Sequence, residues 1–443
     1  MVHTFGLKGR SFALDTESGS FFEIDPIVKA LLDGDDTSPF SSCEIASARD
    51  EIQQLKDDGV LFAPPLKAEL PPFSPVIKAM CLNVSHNCNL ACAYCFADGG
   101  TYSGERLNMP YDTAKAAIDF LVESSGNRRN LEVDFFGGEP MLDFDVVKRT
   151  VLYARSIEKS KNKNFRFTLT TNAYRLTDDD IDFFNEQMYN VVISIDGRKA
   201  VHDRVRKTVG GKDSFDTVVK NALRFKERRK GQYYVRGTYT RLNLDFCDDV
   251  LFLNDLGFDQ ISIEPVVLDS KHPLSIRDED IPRAIAEYDR LAEAYIERRK
   301  TDKWFNFFHF MIDVDNAPCA TKRLKGCGAG GEYVAVAPDG TIYPCHQFDG
   351  IEKTKLGNVF DGLSGDELRK KFYACSVASK PECSACWAKY YCSGGCMANS
   401  YKFNGDINMP YKPACELMKK RIECALAVKA IEESDAEDAK SSK

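Results

Sequence analysis

The sequence predicts an α/β protein: a partial (β/α)6 barrel, with a small mixed unit ahead of it and a cysteine-rich unit behind it. Three observations carry this. From residue 79 to about 267, six short β-branched or aromatic runs alternate with amphipathic stretches. The segment PPLKAELPPFSP (64–75) holds five prolines and no periodicity, which separates residues 1–63 from the barrel region. Most of the sixteen cysteines fall beyond residue 319, in a stretch rich in glycine and poor in periodicity.

Taken in order, FALDTESGSFFEID reads as two short strands around the Ser18-Gly19-Ser20 turn. Helical periodicity follows at Ile27, Val28, Leu31 and Leu32, then at Ile45, Ile52 and Leu55 before Gly59. Residues 64–78 form a proline-rich linker or a strapped surface loop. In the barrel region (79–277) the strand-like runs are AMCLNVS, LEVDFF, FRFTLTT, NVVISID, YYVRGTYT and QISIEPVV. Amphipathic segments between them predict parallel strands joined by right-handed helical crossovers. Six units are too few for the eight-stranded barrel, so a partial barrel or open sheet is expected. Residues 278–318 connect, with one long helix to about 300. The region 319–424 lacks the apolar surface for a core of its own and is expected to fold around metal. Residues 425–443, charged and apolar-poor towards EESDAEDAKSSK, read as a frayed tail.

Composition excludes other classes. Hydrophobic residues make up 43% and charged residues 28%, which rules out a disordered chain. The net charge of −8, from 59 basic against 67 acidic residues, gives no electrostatic reason for nucleic acid or anionic membrane as a partner. The start, MVHTFGLKGRSFALD, lacks the layout of a signal peptide, and no apolar run approaches the ~20 residues needed to cross a bilayer. A cytoplasmic protein is expected. Cysteines clustered in a reducing compartment point to metal or redox chemistry rather than to disulfides.

The sharpest signal is Cys88-x3-Cys92-x2-Cys95 in SHNCNLACAYCFAD, directly after the first predicted strand. Three thiolates so spaced can hold three irons of a [4Fe–4S] cube and leave the fourth open. Structural zinc instead wants a closed set of four ligands, which His86 would have to complete. The C-terminal end of the first strand is where parallel α/β folds bind ligands. Gly137-Gly138-Glu139-Pro140 follows the second strand. Thr170 and Asn172 end the third and Ser194 and Asp196 the fourth, with His202-Asp203-x2-Arg206 beyond. Taken singly, GGEP is a common turn, Ser-x-Asp-Gly a helix cap and His202 a hydrogen-bonded structural residue. In this order, at successive strand ends, they form a pattern.

That pattern resembles the radical S-adenosylmethionine (SAM) enzymes, whose loop motif is C-x3-C-x-aromatic-C, with Tyr94 in the aromatic slot. The resemblance implies a [4Fe–4S] cluster on Cys88, Cys92 and Cys95. It further implies that Gly137, Gly138, Glu139 and Pro140 receive the methionyl ammonium of SAM, and that Thr170, Asn172, Ser194, Asp196 and Arg206 stand near its ribose and carboxylate. Beyond residue 319, Cys327, Cys345, Cys383-x2-Cys386-x5-Cys392-x3-Cys396 and Cys415 resemble the seven-cysteine SPASM domain. By that likeness Cys327, Cys345 and Cys396 hold a first auxiliary [4Fe–4S] cluster, and Cys383, Cys386, Cys392 and Cys415 a second. A pair of zinc ribbons divides seven ligands badly. Cys319 is the rival fourth ligand of the first auxiliary cluster; Cys43, Cys81, Cys247, Cys375 and Cys424 read mostly as buried small residues.

Residues 1–63 resemble the winged-helix, PqqD-like element that binds a precursor's leader as an added strand. FALDTESGS, VDFFGGEP, KGCGAGGEYVAVAPDGTIYPCHQF and CWAKYYCSGGC together are similar to maturases of the six-cysteines-in-forty-five (SCIFF) peptides. This likeness implies a radical SAM oxidoreductase that removes a peptide hydrogen with a 5′-deoxyadenosyl radical and joins a cysteine sulfur to the carbon. Its partners would be a ribosomally made precursor and an electron donor such as flavodoxin or ferredoxin. The alternatives are a sulfatase-type formylglycine maturase, a peptide epimerase or C–C cross-linker, and a non-catalytic, zinc-stabilised peptide-binding adaptor.

Overall fold

The fold was obtained as a computed structural model, which describes residues 1–102, 104–312 and 320–441. At the N-terminus three antiparallel strands, Val2–Leu7, Arg10–Asp15 and Phe21–Ile24, form a sheet in that order. Sequence reading misses the first of these, although Lys8 and Gly9, both at positive φ, make the two-residue turn that joins it to the second. Helix Pro26–Asp33 opens on a proline at its first turn, where the missing N–H costs nothing. Helix Ser42–Asp57 is closed by a reciprocal capping box between Ser41 and Glu44.

Six parallel strands come next, as expected: Ala79–Ser85, Asn130–Gly137, Asn164–Thr171, Asn190–Ser194, Gln232–Tyr239 and Gln260–Pro265, each paired with its successor. Each of the five inter-strand connections carries at least one crossover helix. Along each strand, alternate residues point to the helices: Leu131, Val133 and Phe135, or Phe165, Phe167 and Leu169, are 2% exposed or less. The intervening positions of these strands are mostly polar, among them Asp134, Thr168, Thr170, Ser194 and Arg236. Helix Ile281–Arg299 leaves this body where a long helix was expected.

The cysteine-rich region joins the barrel's sheet, where its strand Tyr333–Val336 adds in parallel to the free side of Ala79–Ser85. Among the described residues the sheet counts eleven strands. One expectation changes: the described residues 425–441 are not a frayed tail. Helix Lys412–Ser441 runs through them and buries Leu426, Ala427, Val428 and Ile431, while Lys300 reaches Asp435 at 2.8 Å and Arg299 pairs with Glu432. The apolar residues were there to read, and Glu432 and Asp435 among them pair with the end of helix Ile281–Arg299. The linker is a strapped loop: Tyr373 Oη donates to Pro71 O at 2.8 Å and Arg369 Nη2 to Pro75 O at 2.9 Å. Among the described residues, no helix is long and apolar enough to cross a membrane.

Candidate functional site

The loop after the first barrel strand is braced from two sides. Its segment Leu90–Cys92 pairs antiparallel with Arg206–Thr208, setting Cys92 opposite Arg206. Asp196, fully buried two residues beyond the fourth strand, gathers the polar groups around this pair. Arg206 Nε donates to Asp196 Oδ2 at 2.9 Å, Tyr94 Oη to the same oxygen at 2.6 Å, and Thr238 N to Oδ1 at 2.9 Å. Arg206 Nη1 then lies 3.8 Å from Cys92 Sγ. Arg206 thus meets Asp196 through a single hydrogen bond. Ser214 Oγ donates to Arg206 O at 2.5 Å, so His202 Nε2 must donate to Ser214 Oγ, at 3.0 Å. Its Nδ1 accepts from Asp196 N at 3.4 Å, and burial pushes the imidazole down to about 4. His202 is a neutral structural residue here.

On the other side stands Glu139, 1% exposed. Its Oε1 accepts from Met141 N at 3.0 Å and Thr171 Oγ1 at 2.6 Å, and its Oε2 from Asn172 N at 2.7 Å. Of about four acceptor sites on a carboxylate, one on Oε2 is left. Burial outweighs these bonds and pushes the carboxyl up to about 7. Asn172 Nδ2 donates to Asn89 Oδ1 at 2.8 Å and lies 3.7 Å from Cys88 Sγ. The two glycines permit a close approach to the cysteine loop itself. A Cβ on Gly138 would lie 2.3 Å from Asn87 O, and one on Gly137, whose φ is +123°, 2.5 Å from Ser85 O. Pro140 starts the short turn after them. Thr170 and Ser194 are half-buried on the inner face of the sheet, next to Val192 and Arg236 respectively.

The thiols gather into three groups. Cys88, Cys92 and Cys95 form the first; burial first, then the Glu139 carboxylate and the neighbouring thiols, push Cys88 up to about 12. Cys327, Cys345 and Cys396 form the second, and burial takes Cys345 to about 12. Cys383, Cys386, Cys392 and Cys415 form the third, and burial takes Cys415 to about 12. The third group lines a cavity of about 670 Å³. These thiols are free of disulfides and half-buried, except Cys327 and Cys396, which are exposed; gathered in threes and fours they suit a cluster that binds thiolate. Among the described residues, no three His, Cys, Asp or Glu side chains converge as a single-ion site. His86 does not join the loop thiols as a ligand: its Nε2 meets Asp349 Oδ2 at 3.0 Å, where Asn83 Nδ2 also donates at 2.6 Å. Cys81, Cys247, Cys375 and Cys424 are buried and Cys43 is exposed, while Cys319 lies outside the described residues.

Asn83 and Asp349 escape sequence reading. They link the first strand to the cysteine-rich unit across 266 positions, and no local pattern marks either. The same junction brings together residues that neighbour two of the thiol groups. Phe96, beside Cys95, and Phe136 both contact the His346 ring, at 5.7 and 5.0 Å, beside Cys345. Lys402 lies 5.1 Å over the Phe96 ring.

Comparison with known proteins agrees with this geometry. Residues 82–241 match the Radical SAM superfamily. The radical SAM cyclopropyl synthase TigE of Paramaledivibacter caminithermalis is 26% identical over 362 residues, 77% of this chain and 72% of that one. A cysteine-type anaerobic sulfatase-maturating enzyme of Clostridium novyi is 24% identical over 339 residues, 71% of this chain and 86% of that one. Among solved structures, anSMEcpe with bound AdoMet has a TM-score of 0.68 at 20% identity, covering 81% of this chain and 96% of that one. Streptococcus suis SuiB bound to precursor peptide SuiA has a TM-score of 0.54 at 17% identity, covering 92% and 97%. At these identities the likeness to the solved structures is one of fold.

Proposed function

We propose that this chain, which carries a radical SAM domain over residues 82–241, is a maturase that forms a thioether in a ribosomally made, cysteine-rich precursor peptide. The observation that carries the reading is the pairing of two three-thiol groups, Cys88/Cys92/Cys95 and Cys327/Cys345/Cys396, across the Phe96–His346–Phe136 junction. Three protein ligands leave one iron of a [4Fe–4S] cluster free, for SAM in one group and for a substrate thiolate in the other. Bound on the first group, cluster and SAM supply one-electron cleavage to methionine and a hydrogen-abstracting 5′-deoxyadenosyl radical.

The chain's own residues position and shield. Glu139 offers its remaining acceptor site to the methionyl ammonium. Asn172 fixes the loop beside Cys88, and Asp196 fixes Arg206 and Tyr94 beside Cys92. Thr170 and Ser194 offer hydroxyls for the rest of SAM. For the peptide, Phe21–Ile24 is an outer strand of the N-terminal sheet. Beside it a groove of about 350 Å³ is lined by Phe22, Ile24, Val28, Ile52 and Leu55, the layout needed to accept an added strand. A peptide substrate is supported by SuiB, whose structure holds the precursor peptide SuiA on a fold that covers 92% of this chain.

The relationship to sulfatase-maturating enzymes favours formylglycine formation as the second reading. One experiment separates the readings. The chain is reconstituted without oxygen, assayed for metal, and given SAM, dithionite and a synthetic cysteine-rich peptide with a leader segment. About twelve irons with matching sulfide, 5′-deoxyadenosine, and a peptide that has lost a pair of hydrogens but kept its sulfur support the thioether reading. Loss of the sulfur as an aldehyde forms supports the formylglycine reading. Zinc without sulfide supports the adaptor.

A further inference from the structure

Of the four-thiol group, Cys415 stands on the long helix Lys412–Ser441, while the other three sit on weakly organised backbone. Cys383 and Cys386 flank the end of Pro381–Ser384, and Cys392 ends Lys389–Cys392; both are helices of 4 residues. Such short pieces do little to hold ligands in place by themselves. The loop between Cys386 and Cys392 is instead held by the N-terminal sheet, some 370 positions away in sequence. Thr16 Oγ1 donates to Trp387 O at 3.0 Å. Lys389 Nζ donates to Glu17 Oε1 at 2.5 Å, with both side chains nearly buried, and Tyr390 Oη reaches Glu17 Oε2 at 3.4 Å. The His3 ring stacks on Trp387 with centroids 3.8 Å apart and planes 8° from parallel, and its Nε2 meets Glu423 Oε1 at 2.9 Å. Trp387 in turn lines the cavity shared by Cys383, Cys386, Cys392 and Cys415.

We propose that the N-terminal sheet is a wall of the second auxiliary cluster site, with His3, Thr16 and Glu17 as positioning residues that hold the Cys386–Cys392 loop and keep water and oxygen from it. This rests on reading the four-thiol group as a cluster site. The sheet then has two separate faces. Strand Phe21–Ile24 presents an edge to a peptide, while the end of Arg10–Asp15 and the residues after it grip the cluster loop. The physical reason is burial: the Glu17–Lys389 pair is shielded from solvent, so breaking it strands a charge, and the cheapest relief is movement of the loop.

The test uses the full chain, reconstituted without oxygen. Glu17→Lys places two ammonium groups together, and Glu17→Lys with Lys389→Glu restores the pair in reverse. The single variant is expected to lose about four of about twelve irons while its Cys88 loop still cleaves SAM under dithionite. The double variant is expected to regain them. Full iron in the single variant overturns the proposal, and so does a loss that the double variant fails to restore. Should the reversed charge leave no soluble chain, His3→Ala with Thr16→Val carries the test through bleaching of the cluster absorbance in air. A rate raised by about threefold or more supports the wall, and an unchanged rate overturns it. A wild-type chain with no more than about eight irons overturns the cluster reading itself, independently of any variant.

Discussion

At the scale of single residues, the site depends on two buried carboxylates that do opposite things. Asp196 neutralises Arg206, whose side chain is 11% exposed, and holds the Tyr94 hydroxyl and Thr238 N–H. Replacing it by alanine leaves a buried guanidinium unpaired, which costs about 3–5 kcal/mol. Asp196→Ala should therefore lower the unfolding free energy by that much in a denaturant titration, and a change under about 1 kcal/mol would show that water reaches Arg206 freely. Glu139 makes no such ion pair among the described residues, and Arg206 lowers its pKa only slightly against the effect of burial. Burial keeps its proton on up to about 7 in the folded chain, against 4.5 for an ordinary glutamate. The folded state thus binds more protons than the unfolded state between those values, and stability falls as pH rises from 4.5 through about 7, by about 3 kcal/mol. Glu139→Gln carries no such charge. Unfolding free energies near pH 5 and pH 8 should differ more in the wild type than in this variant, and equal differences would refute the assignment.

At the scale of elements, legibility in the sequence obeys a physical rule. The six barrel strands show there because each is a local run with its own periodicity, and because Cys88, Gly137, Asn172 and Asp196 sit close to strand ends. Elements whose state depends on a distant partner were not legible. The stretch after Cys424 reads as a charged tail, yet Leu426, Ala427, Val428 and Ile431 are each 4% exposed or less, in the helix that lies along Ile281–Arg299. Fully burying an aliphatic side chain contributes about 1.5–3 kcal/mol, so these residues are a substantial part of the fold's stability. A chain ending at Cys424 should accordingly be insoluble or melt many degrees lower than the full chain. Unchanged melting would mean that the helix contributes nothing there.

At the scale of the whole molecule, the candidate site is a junction, and junctions leave little trace in sequence. The cysteine spacings announced three groups of thiols. Nothing local announced that Asn83 and His86 would share Asp349, or that Arg369, 1% exposed, would tie Pro75 O to Gly330 O and Gly331 O. Most consequential is the pairing of Tyr333–Val336 with Ala79–Ser85, from Tyr333 beside Ala79 to Val336 beside Leu82. A six-stranded partial barrel has two open edges, and its first strand here is buried throughout. Without the cysteine-rich unit that strand would present a row of unpaired N–H and C=O groups next to Met80, Leu82 and Val84, the kind of edge that recruits another chain. The barrel is therefore not expected to stand alone. Residues 1–312 made as a fragment should show concentration-dependent association in sedimentation beyond that of the full chain, and adding residues 320–443 in trans should reduce it. A fragment that stays monomeric with native-like far-ultraviolet dichroism would show that the first strand needs no partner on that side, and that the cysteine-rich unit is fastened to a barrel already complete.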